Sequence, residues 1–369
     1  MKIAIWGAGN FGQYVGKQLL ENKEIEIINF IDKNRYGEEI LGIKIISPGK
    51  FMMELQTKVD ILLVAFMNGI EIYNELQLDK KIKLGFIKNC LFTQKIELKR
   101  EILEDENIFW IEDRTKPLLP TLETNIVDFC NLNCKGCSHF SNLYQKGEMV
   151  SFENFKNDLR QIANNVHICR LNLLGGEVLL NSKLIEYMIY ARDIIPMADI
   201  WLITNGLLLL KQKEDFFRCC LDKNIGIDIS VYEPTSLIIE DIIKLLQKYG
   251  VKYNIRNNKG DFGKNIDLSG SADKEKAMQY CRESKCHFFR EGKLYKCPFA
   301  ALGNKFFEHF NLNVKFDEGD DIYDENLNWR ELTNKLVNEP IEACKYCGKE
   351  ERFAWEISKY PSINDWIVN

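Results

Sequence analysis

Apolar runs of strand length alternate with amphipathic stretches of helical period through the middle of the chain. Strands are predicted where the apolar runs lie, at 124–129, 168–174, 199–203, 226–231 and 251–256. Helices are predicted at 152–163, 183–193, 210–221 and 236–249, where apolar residues recur every three or four positions. Repeated strand–helix units predict a parallel sheet covered by helices, so the expected fold class is α/β.

The first hundred residues show a shorter version of this pattern. Strands are predicted at 2–6, 25–31, 42–46, 59–66 and 84–87, with a helix at 14–20. Gly7, Gly9 and Gly12 lie between the first strand and the helix, and Asp32 ends the second strand. Such glycines let the backbone approach a phosphate, the helix N-terminus favours its charge, and the acid is placed to bind a ribose diol. We therefore expect a Rossmann-like half domain that binds a nucleotide.

Composition narrows the class of protein and the compartment. The chain has 369 residues, 46% hydrophobic and 28% charged, with a net charge of −5, as in a soluble globular protein of two or three domains. It has no basic block for nucleic acid and no apolar run long enough for a membrane span. The N-terminus is predicted to be a strand rather than a signal peptide, so we expect a cytoplasmic protein. Twelve cysteines in a reducing compartment favour metal over disulfides.

Cys130, Cys134 and Cys137 form the strongest chemical motif, with spacing C-x3-C-x2-C directly after a predicted strand. A structural zinc site and an ordinary iron–sulfur cluster both normally take four protein ligands. Three thiolates can instead hold three corners of a 4Fe-4S cubane and leave one iron open to a small molecule. A zinc site completed by His139, or a chance grouping, is the alternative.

Other polar motifs follow the predicted strands. Gly175-Gly176-Glu177 follows the strand at 168–174, and Asn205 follows the strand at 199–203. Ser230 and Arg256 end the next two strands. Because the carboxyl ends of parallel strands share one edge, we expect these residues to gather near the three cysteines.

Over about residues 118–270 these motifs resemble the radical S-adenosylmethionine (radical SAM) superfamily. The resemblance implies a partial, TIM-like (β/α)6 barrel and a 4Fe-4S cluster on the three cysteines, whose open iron chelates S-adenosylmethionine. It also implies that Gly175, Gly176 and Glu177 contact the methionine amino group, and that polar strand-end residues meet the ribose or the carboxylate: Asn205, Ser230 and Arg256. The residue before the third cysteine is usually aromatic in this family, whereas here it is Gly136; Phe140 is the candidate substitute for contact with adenine.

Five further cysteines lie near the C-terminus, around a predicted β-hairpin at 288–296. The pattern is similar to the auxiliary-cluster regions called SPASM and twitch. This resemblance implies one second 4Fe-4S cluster, for which we prefer Cys286, Cys297, Cys344 and Cys347, with Cys281 as a spare or a substitute ligand. A structural zinc ion on the same four thiolates is the alternative. The remaining cysteines are expected to be core residues: Cys90, Cys169, Cys219 and Cys220.

Residues 30–48 resemble the small Rossmann-like domain of sugar acyltransferases, which implies a nucleotide-sugar ligand; NAD or no ligand are the alternatives. The predicted domains are a Rossmann-like domain at 1–100, a linker at 101–120, a radical SAM core at 121–275 and an auxiliary-cluster region at 276–369.

The expected function is that of a radical SAM enzyme with unassigned catalytic residues. Its substrate would be a nucleotide-linked sugar or other small metabolite, oxidised or epimerised in surface-glycan biosynthesis. Its electrons would come from a low-potential donor such as flavodoxin or ferredoxin. Modification of a peptide or protein, and a non-catalytic iron–sulfur or zinc sensor or scaffold, are the alternatives.

Overall fold

The computed structural model describes residues 1–65, 73, 78–88, 97–260, 262–315 and 318–368. Cys90, the end of the predicted strand 59–66, the start of the charged stretch before the linker and Asp317 lie outside these residues. The chain divides into two compact units, Met1–Leu118 and Leu119–Asn369.

The first unit is built on a seven-stranded sheet with the order β3-β4-β2-β1-β5-β6-β7. Its strands are β1 Lys2–Trp6, β2 Glu26–Ile31, β3 Glu39–Ile40, β4 Ile43–Ile46, β5 Ile61–Val64, β6 Lys83–Ile87 and β7 Ile108–Ile111. Strands β4, β2, β1, β5 and β6 run parallel, and β3 and β7 are antiparallel to their neighbours. The helix Asn10–Leu20 packs Val15 and Leu19 against Ile3, Ile5 and Phe30. The predicted parallel α/β arrangement of this unit is confirmed, and its Rossmann-like character stays a prediction.

The predicted linker at 101–120 differs from the structure. Ile108–Ile111 forms β7, which pairs antiparallel with β6, and three of its four side chains are buried. The apolar content of this short run was hidden by the charged sequence before it. The boundary between the compact units therefore falls at residue 118, after the predicted domain end at residue 100.

The second unit contains an eight-stranded sheet with the order β12-β11-β10-β9-β8-β14-β15-β16. Its strands are β8 Leu118–Val127, β9 His167–Gly175, β10 Asp199–Thr204, β11 Ile225–Val231, β12 Tyr253–Asn257, β14 Cys286–Arg290, β15 Lys293–Tyr295 and β16 Asp320–Asp321. Strands β9 to β12 are mutually parallel, and β14 lies parallel to β8. A two-stranded antiparallel sheet adds β13 Phe262–Ile266 and β17 Cys347–Phe353.

Helices connect the parallel strands and cover one face of this sheet. They are Phe152–Asn165, Leu184–Ile194, Glu214–Asp222 and Ile239–Tyr249. Three helices follow further along the chain, Lys274–Tyr280, Pro298–His309 and Trp329–Asn338, and Pro298–His309 packs in a separate apolar cluster with Leu174 and Phe288. In the helix Phe152–Asn165, the Ser151 hydroxyl caps the N-terminus by accepting from Asn154 N, and Phe155, Leu159 and Ile162 face the core. Single-turn segments lie at Pro48–Lys50, Phe51–Leu55, Gln56–Lys58, Ile102–Glu104, Ser141–Leu143, Val178–Leu180, Leu209–Lys211, Glu233–Ser236, Glu342–Tyr346 and Ile363–Asp365.

The opposite face of the sheet carries buried polar residues as well as apolar ones such as Leu174 and Phe288. Leu122 and Ile126 of β8 join the apolar core under the helices, whereas Glu123 between them is 8% exposed and accepts from Asn172. Strand side chains alternate between faces, so Glu123 and Asn172 lie on the face away from the helices that connect the parallel strands. The α/β fold with a partial barrel is confirmed. In the described part of the chain, no helix has the length and apolarity needed to cross a bilayer.

Candidate functional site

The three clustered cysteines lie in the loop that leaves the carboxyl end of β8. All three thiols are free, and Cys134 is only 7% exposed. Burial, followed by the charge of the Cys137 sulfur, raises the pKa of Cys134 to about 12, and burial likewise raises the pKa of Cys130. Unperturbed thiols are already mostly protonated at neutral pH, and this loop makes the thiolate still less favourable unless a cationic group shares the site.

Hydrogen bonds from the protein converge on the Cys130 sulfur. The backbone N–H of Leu132 donates to Cys130 Sγ at 3.3 Å, and the side-chain amide of Asn205 approaches it at 3.7 Å. Asn205 also donates to Asn131 Oδ1 at 2.7 Å. Donors to sulfur are a feature of iron–sulfur ligation, where they modulate the potential of the cluster. The donor set and its surroundings therefore fit a 4Fe-4S cluster.

Within the described residues, no three His, Cys, Asp or Glu side chains converge at single-ion ligand distances. His139, the alternative fourth ligand, turns its Nδ1 to Asn125 Oδ1 at 2.9 Å, and burial lowers its pKa to about 4.

The glycines that follow β9 allow a close approach to β8. A Cβ atom on Gly175 would stand 2.0 Å from Val127 O, and one on Gly176 would stand 2.1 Å from Phe129 O. Gly176 N donates to Val127 O at 2.8 Å. The two glycines therefore fix the end of β9 directly beside the strand that carries the cysteine loop.

Glu177 is fully buried and its carboxylate already has three donors. It accepts from Leu179 N at 3.0 Å, Thr204 Oγ1 at 2.6 Å and Asn205 N at 2.8 Å. Burial raises its pKa, although these hydrogen bonds act in the opposite direction. The carboxylate thus joins the ends of β9 and β10, and its predicted contact with a methionine amino group stays a prediction.

Ser230 and Arg256 are adjacent in the register of β11 and β12. Ser230 is 7% exposed, and Arg256 Nε donates to Asp228 Oδ1 at 2.9 Å. Asp228 also lies 3.5 Å from the buried Arg170 guanidinium. The guanidinium of Arg256 is therefore held by a carboxylate on the inner face of the sheet, and its predicted contact with S-adenosylmethionine stays a prediction.

Phe140 does not lie at the surface of the cysteine loop. It is 1% exposed and packs against Phe306 and Trp366, with ring centroids 5.6 and 6.0 Å apart. Its apolar ring is thus part of the core beneath the loop, which argues against the predicted contact with adenine.

The C-terminal segment, residues 353–366, lies across the cysteine loop. Lys135 N donates to Glu356 O at 3.0 Å, and Ser358 N donates to Asn133 O at 2.7 Å. Gly136 has a φ of +69°, and a Cβ there would stand 3.1 Å from Asp365 O. Sequence reasoning missed this segment because no local signal connects residues more than 200 positions apart.

The C-terminal cysteines form a second group around the hairpin β14–β15. Cys281, Cys297, Cys344 and Cys347 lie close enough for their charges to interact: after burial, the neighbouring thiolates of this group help to raise the pKa values of Cys281, Cys297 and Cys347. By contrast, the Cys286 thiol hydrogen-bonds to the Glu123 carboxylate on β8. Burial is the largest cause of the raised pKa of Cys286, and Cys281 is the one thiol among its main causes. The structure thus brings together three of the four preferred ligands with Cys281, and it turns Cys286 towards the inside of the sheet.

In the first unit the glycine turn is braced by Asp32. A Cβ on Gly12 would stand 1.9 Å from Gly7 O, whereas one on Gly9 would meet nothing within 4 Å. Asp32 Oδ2 accepts from Ala8 N at 3.1 Å, and Oδ1 accepts from the backbone N–H groups of residues 34 and 35. The carboxylate therefore supports the turn, and its predicted role towards a ribose stays a prediction.

Comparisons with known proteins match two separate regions of the chain. Residues 1–82 match the family model "C2185-like, N-terminal", and residues 123–229 match "4Fe-4S single cluster domain". GTP 3′,8-cyclase of Thermodesulfovibrio yellowstonii is 30% identical over 111 residues, covering 29% of this chain and 34% of the relative. GTP 3′,8-cyclase of Alkaliphilus metalliredigens is 32% identical over 115 residues, covering 31% and 35%. The chain thus spans about a third of the length of these curated relatives.

Solved structures give further likenesses. The structure of BtrN with AdoMet and 2-DOIA has a TM-score of 0.41 at 16% identity, covering 63% of this chain and 94% of that one. The anSMEcpe structure with bound AdoMet has a TM-score of 0.31 at 21% identity, covering 38% and 43%. The matched residues 123–229 contain all three clustered cysteines, the two glycines and Glu177. Residues 123–229 of the second unit are therefore similar to a 4Fe-4S single cluster domain.

Proposed function

We propose that the chain is a radical SAM enzyme that uses the cluster on Cys130, Cys134 and Cys137. When bound, such a cluster supplies one electron for the reductive cleavage of S-adenosylmethionine, and the resulting 5′-deoxyadenosyl radical abstracts hydrogen from a substrate. The observation that carries the proposal is the position of the three-cysteine loop at the carboxyl end of β8, where Gly175 and Gly176 approach that strand closely and the Asn205 amide contacts Cys130 Sγ. The chain's own part is to hold the sulfurs, exclude water and orient the ligands.

Anaerobic reconstitution with iron and sulfide tests this proposal. We expect dithionite and S-adenosylmethionine to yield 5′-deoxyadenosine and methionine with the wild-type chain and with Cys219→Ala. Cys219 lies on the helix Glu214–Asp222, outside the cysteine loop. Cys134→Ala should lose the product and the iron of this cluster together. Wild-type protein with an intact cluster and no product would refute the enzymatic proposal and favour a sensor or scaffold.

We further propose a second metal centre on Cys281, Cys297, Cys344 and Cys347. Support comes from the mutual interactions of these thiols and from Lys296, which is 2% exposed and whose ammonium charge interacts with three of them. A buried cation favours several thiolates in one place. Iron and zinc contents of anaerobically purified protein distinguish an auxiliary 4Fe-4S cluster from structural zinc, since stoichiometric zinc with only one cluster would exclude the former.

For the substrate we propose a nucleotide-linked sugar or similar small metabolite, consistent with a role in surface-glycan biosynthesis. The glycine turn before the helix Asn10–Leu20 supports nucleotide binding by the first unit. GTP 3′,8-cyclase, whose name describes a nucleotide-converting enzyme, matches 29% of this chain. A low-potential donor of the flavodoxin or ferredoxin class and a cytoplasmic location remain predictions that accompany this function.

Binding of UDP, a UDP-sugar and NAD to the full chain, measured by calorimetry, tests the nucleotide proposal. Gly9→Ala is the informative variant, because Gly9 has ordinary φ and open space around its Cα, so an added methyl would point into the ligand region without disturbing the fold. We expect unchanged thermal stability and a weaker affinity for UDP-ligands. Gly49→Ala, also in open space, is the control. Absence of binding by the wild-type chain would exclude the nucleotide role of this unit.

A further inference from the structure

Trp355 belongs to the C-terminal segment that crosses the cysteine loop. Its backbone N–H donates to Lys259 O at 2.9 Å, and its ring stacks on Tyr232 with centroids 5.3 Å apart at 26°. Ile357, two residues further on, forms an antiparallel bridge with Cys134. The indole is therefore held from both sides, by backbone and by ring, next to the second of the three cysteines.

The indole N–H of Trp355 is buried and has no hydrogen-bond partner among the described residues. The residues that follow Trp355 pair with the cysteine loop, since Glu356 O accepts from Lys135 N at 3.0 Å and Ile357 bridges Cys134. A buried donor without an acceptor is unfavourable, and such groups in native structures usually have a partner that completes them.

A second tryptophan shows the alternative arrangement. Trp366 also lies against the loop, but its Nε1 donates to the backbone carbonyl of Cys137 at 2.9 Å and is thereby satisfied. The indole N–H groups of the two tryptophans therefore differ in their hydrogen bonding. Trp366 fixes the backbone of the loop, whereas the N–H of Trp355 is buried without a partner among the described residues.

We propose that Trp355 is a positioning residue whose indole N–H donates to the sulfur of Cys134 or to an adjacent sulfide of the three-cysteine cluster. The inference rests on the cluster of the proposed function. Each electron added to a cluster increases the negative charge on its sulfurs, so a donor to sulfur stabilises the reduced state and raises the potential. The residue therefore tunes how readily the site is reduced without contacting the reacting carbon.

The test uses the reconstituted full chain and two matched variants. Trp355→Phe keeps an aromatic ring and removes only the N–H side of the indole. Trp110→Phe makes the same change at another buried indole nitrogen that lacks a partner among the described residues, on β7 of the first unit. Iron and sulfide are counted, and the cluster is titrated by EPR at controlled potentials without S-adenosylmethionine.

We expect Trp355→Phe to lower the ratio of reduced to oxidised cluster about tenfold at a given potential, which for one electron corresponds to about 59 mV. Trp110→Phe should titrate as the wild type. Equal potentials in Trp355→Phe and the wild type, with iron retained, would overturn the inference. A wild-type chain that takes up no cluster would instead overturn the proposed function.

A second measurement keeps the test decisive if Trp355→Phe does not retain iron. The wild-type chain is labelled with 15N at the indole nitrogens, reduced, and examined by pulsed EPR for coupling between 15N and the cluster. A coupled indole nitrogen that persists in Trp366→Phe supports the assignment to Trp355. No coupling in the reduced wild-type protein would refute it.

Discussion

A buried ion pair just before the cysteine loop offers a quantitative test of how the site is supported. Asp128 lies two residues before Cys130 and is 1% exposed. Arg290 of β14 donates to both of its carboxylate oxygens, at 2.6 and 3.0 Å. This two-point pair joins β14 to the end of β8, although more than 160 residues separate them in sequence.

Arg290→Met removes both hydrogen bonds and leaves a buried carboxylate without its cation. Breaking a buried pair in this way typically costs about 3–5 kcal/mol. We expect the lower end, about 3 kcal/mol, because the Asn125 amide remains 3.4 Å from Asp128 Oδ1. With a urea slope of roughly 3 kcal/mol per molar, the midpoint should fall by about 1 M. The double variant with Asp128→Asn should recover part of the loss, since no unpaired charge remains.

The assay is urea unfolding of the metal-free chain followed by circular dichroism, with iron content after reconstitution as a second readout. Arg218→Met is the matched control, because Arg218 and its partner Glu214 have side chains that are 70% and 55% exposed. Exposed pairs contribute at most about 1 kcal/mol. If Arg290→Met unfolds at the same urea concentration as Arg218→Met, the pair does not support the loop and the reasoning fails.

Three further predictions follow from buried groups of the second unit. In the wild-type chain the Glu177 carboxylate oxygens accept from backbone N–H groups, and Glu177→Gln would place an amide N–H opposite one of them. We therefore expect the free energy of unfolding, measured by urea titration, to fall by about 1–3 kcal/mol. An unchanged urea midpoint would contradict this. Burial raises the pKa of Asp199, but the charges of Lys252 and Arg170 outweigh burial and lower it. The stabilisation by this carboxylate is therefore present above the usual carboxyl pKa and is lost as the pH falls through the lowered pKa. Asp199→Asn should reduce the loss of thermal stability at acid pH, whereas the surface variant Asp193→Asn should not. Cys281→Ala should lower the metal content of the second centre and Cys286→Ala should not, and the reverse result would restore Cys286 as the ligand.

The sequence was sufficient where the signal is local. The alternation of apolar strands and amphipathic helices predicts the parallel sheets, since each burial pattern arises within one element. The spacing of Cys130, Cys134 and Cys137 predicts the cluster loop, because the three residues share one turn of chain. The glycines at 175 and 176 were likewise found by position, although the structure gives a reason that the sequence lacked, the close approach to β8.

The sequence carries less information where the partner of a residue lies far along the chain. Strand β7 was hidden because its pairing partner β6 is needed to show that the short run is an edge strand. Phe140 was expected at the adenine, yet its ring is enclosed by residues from a helix and a segment that follow more than 150 positions later. The choice between Cys281 and Cys286 likewise depends on Glu123, which faces Cys286 across two strands that are distant in sequence.

The crossing of the cysteine loop by residues 353–366 also constrains when the site can be completed during synthesis. Trp366 and Cys137, which it contacts through a hydrogen bond, are 229 residues apart. At about 5–20 residues per second, a ribosome needs roughly 10–50 s to progress from one to the other. The nascent chain therefore displays three uncovered thiols throughout that interval, so cofactor insertion into a finished pocket has to follow translation of the final strand and tail.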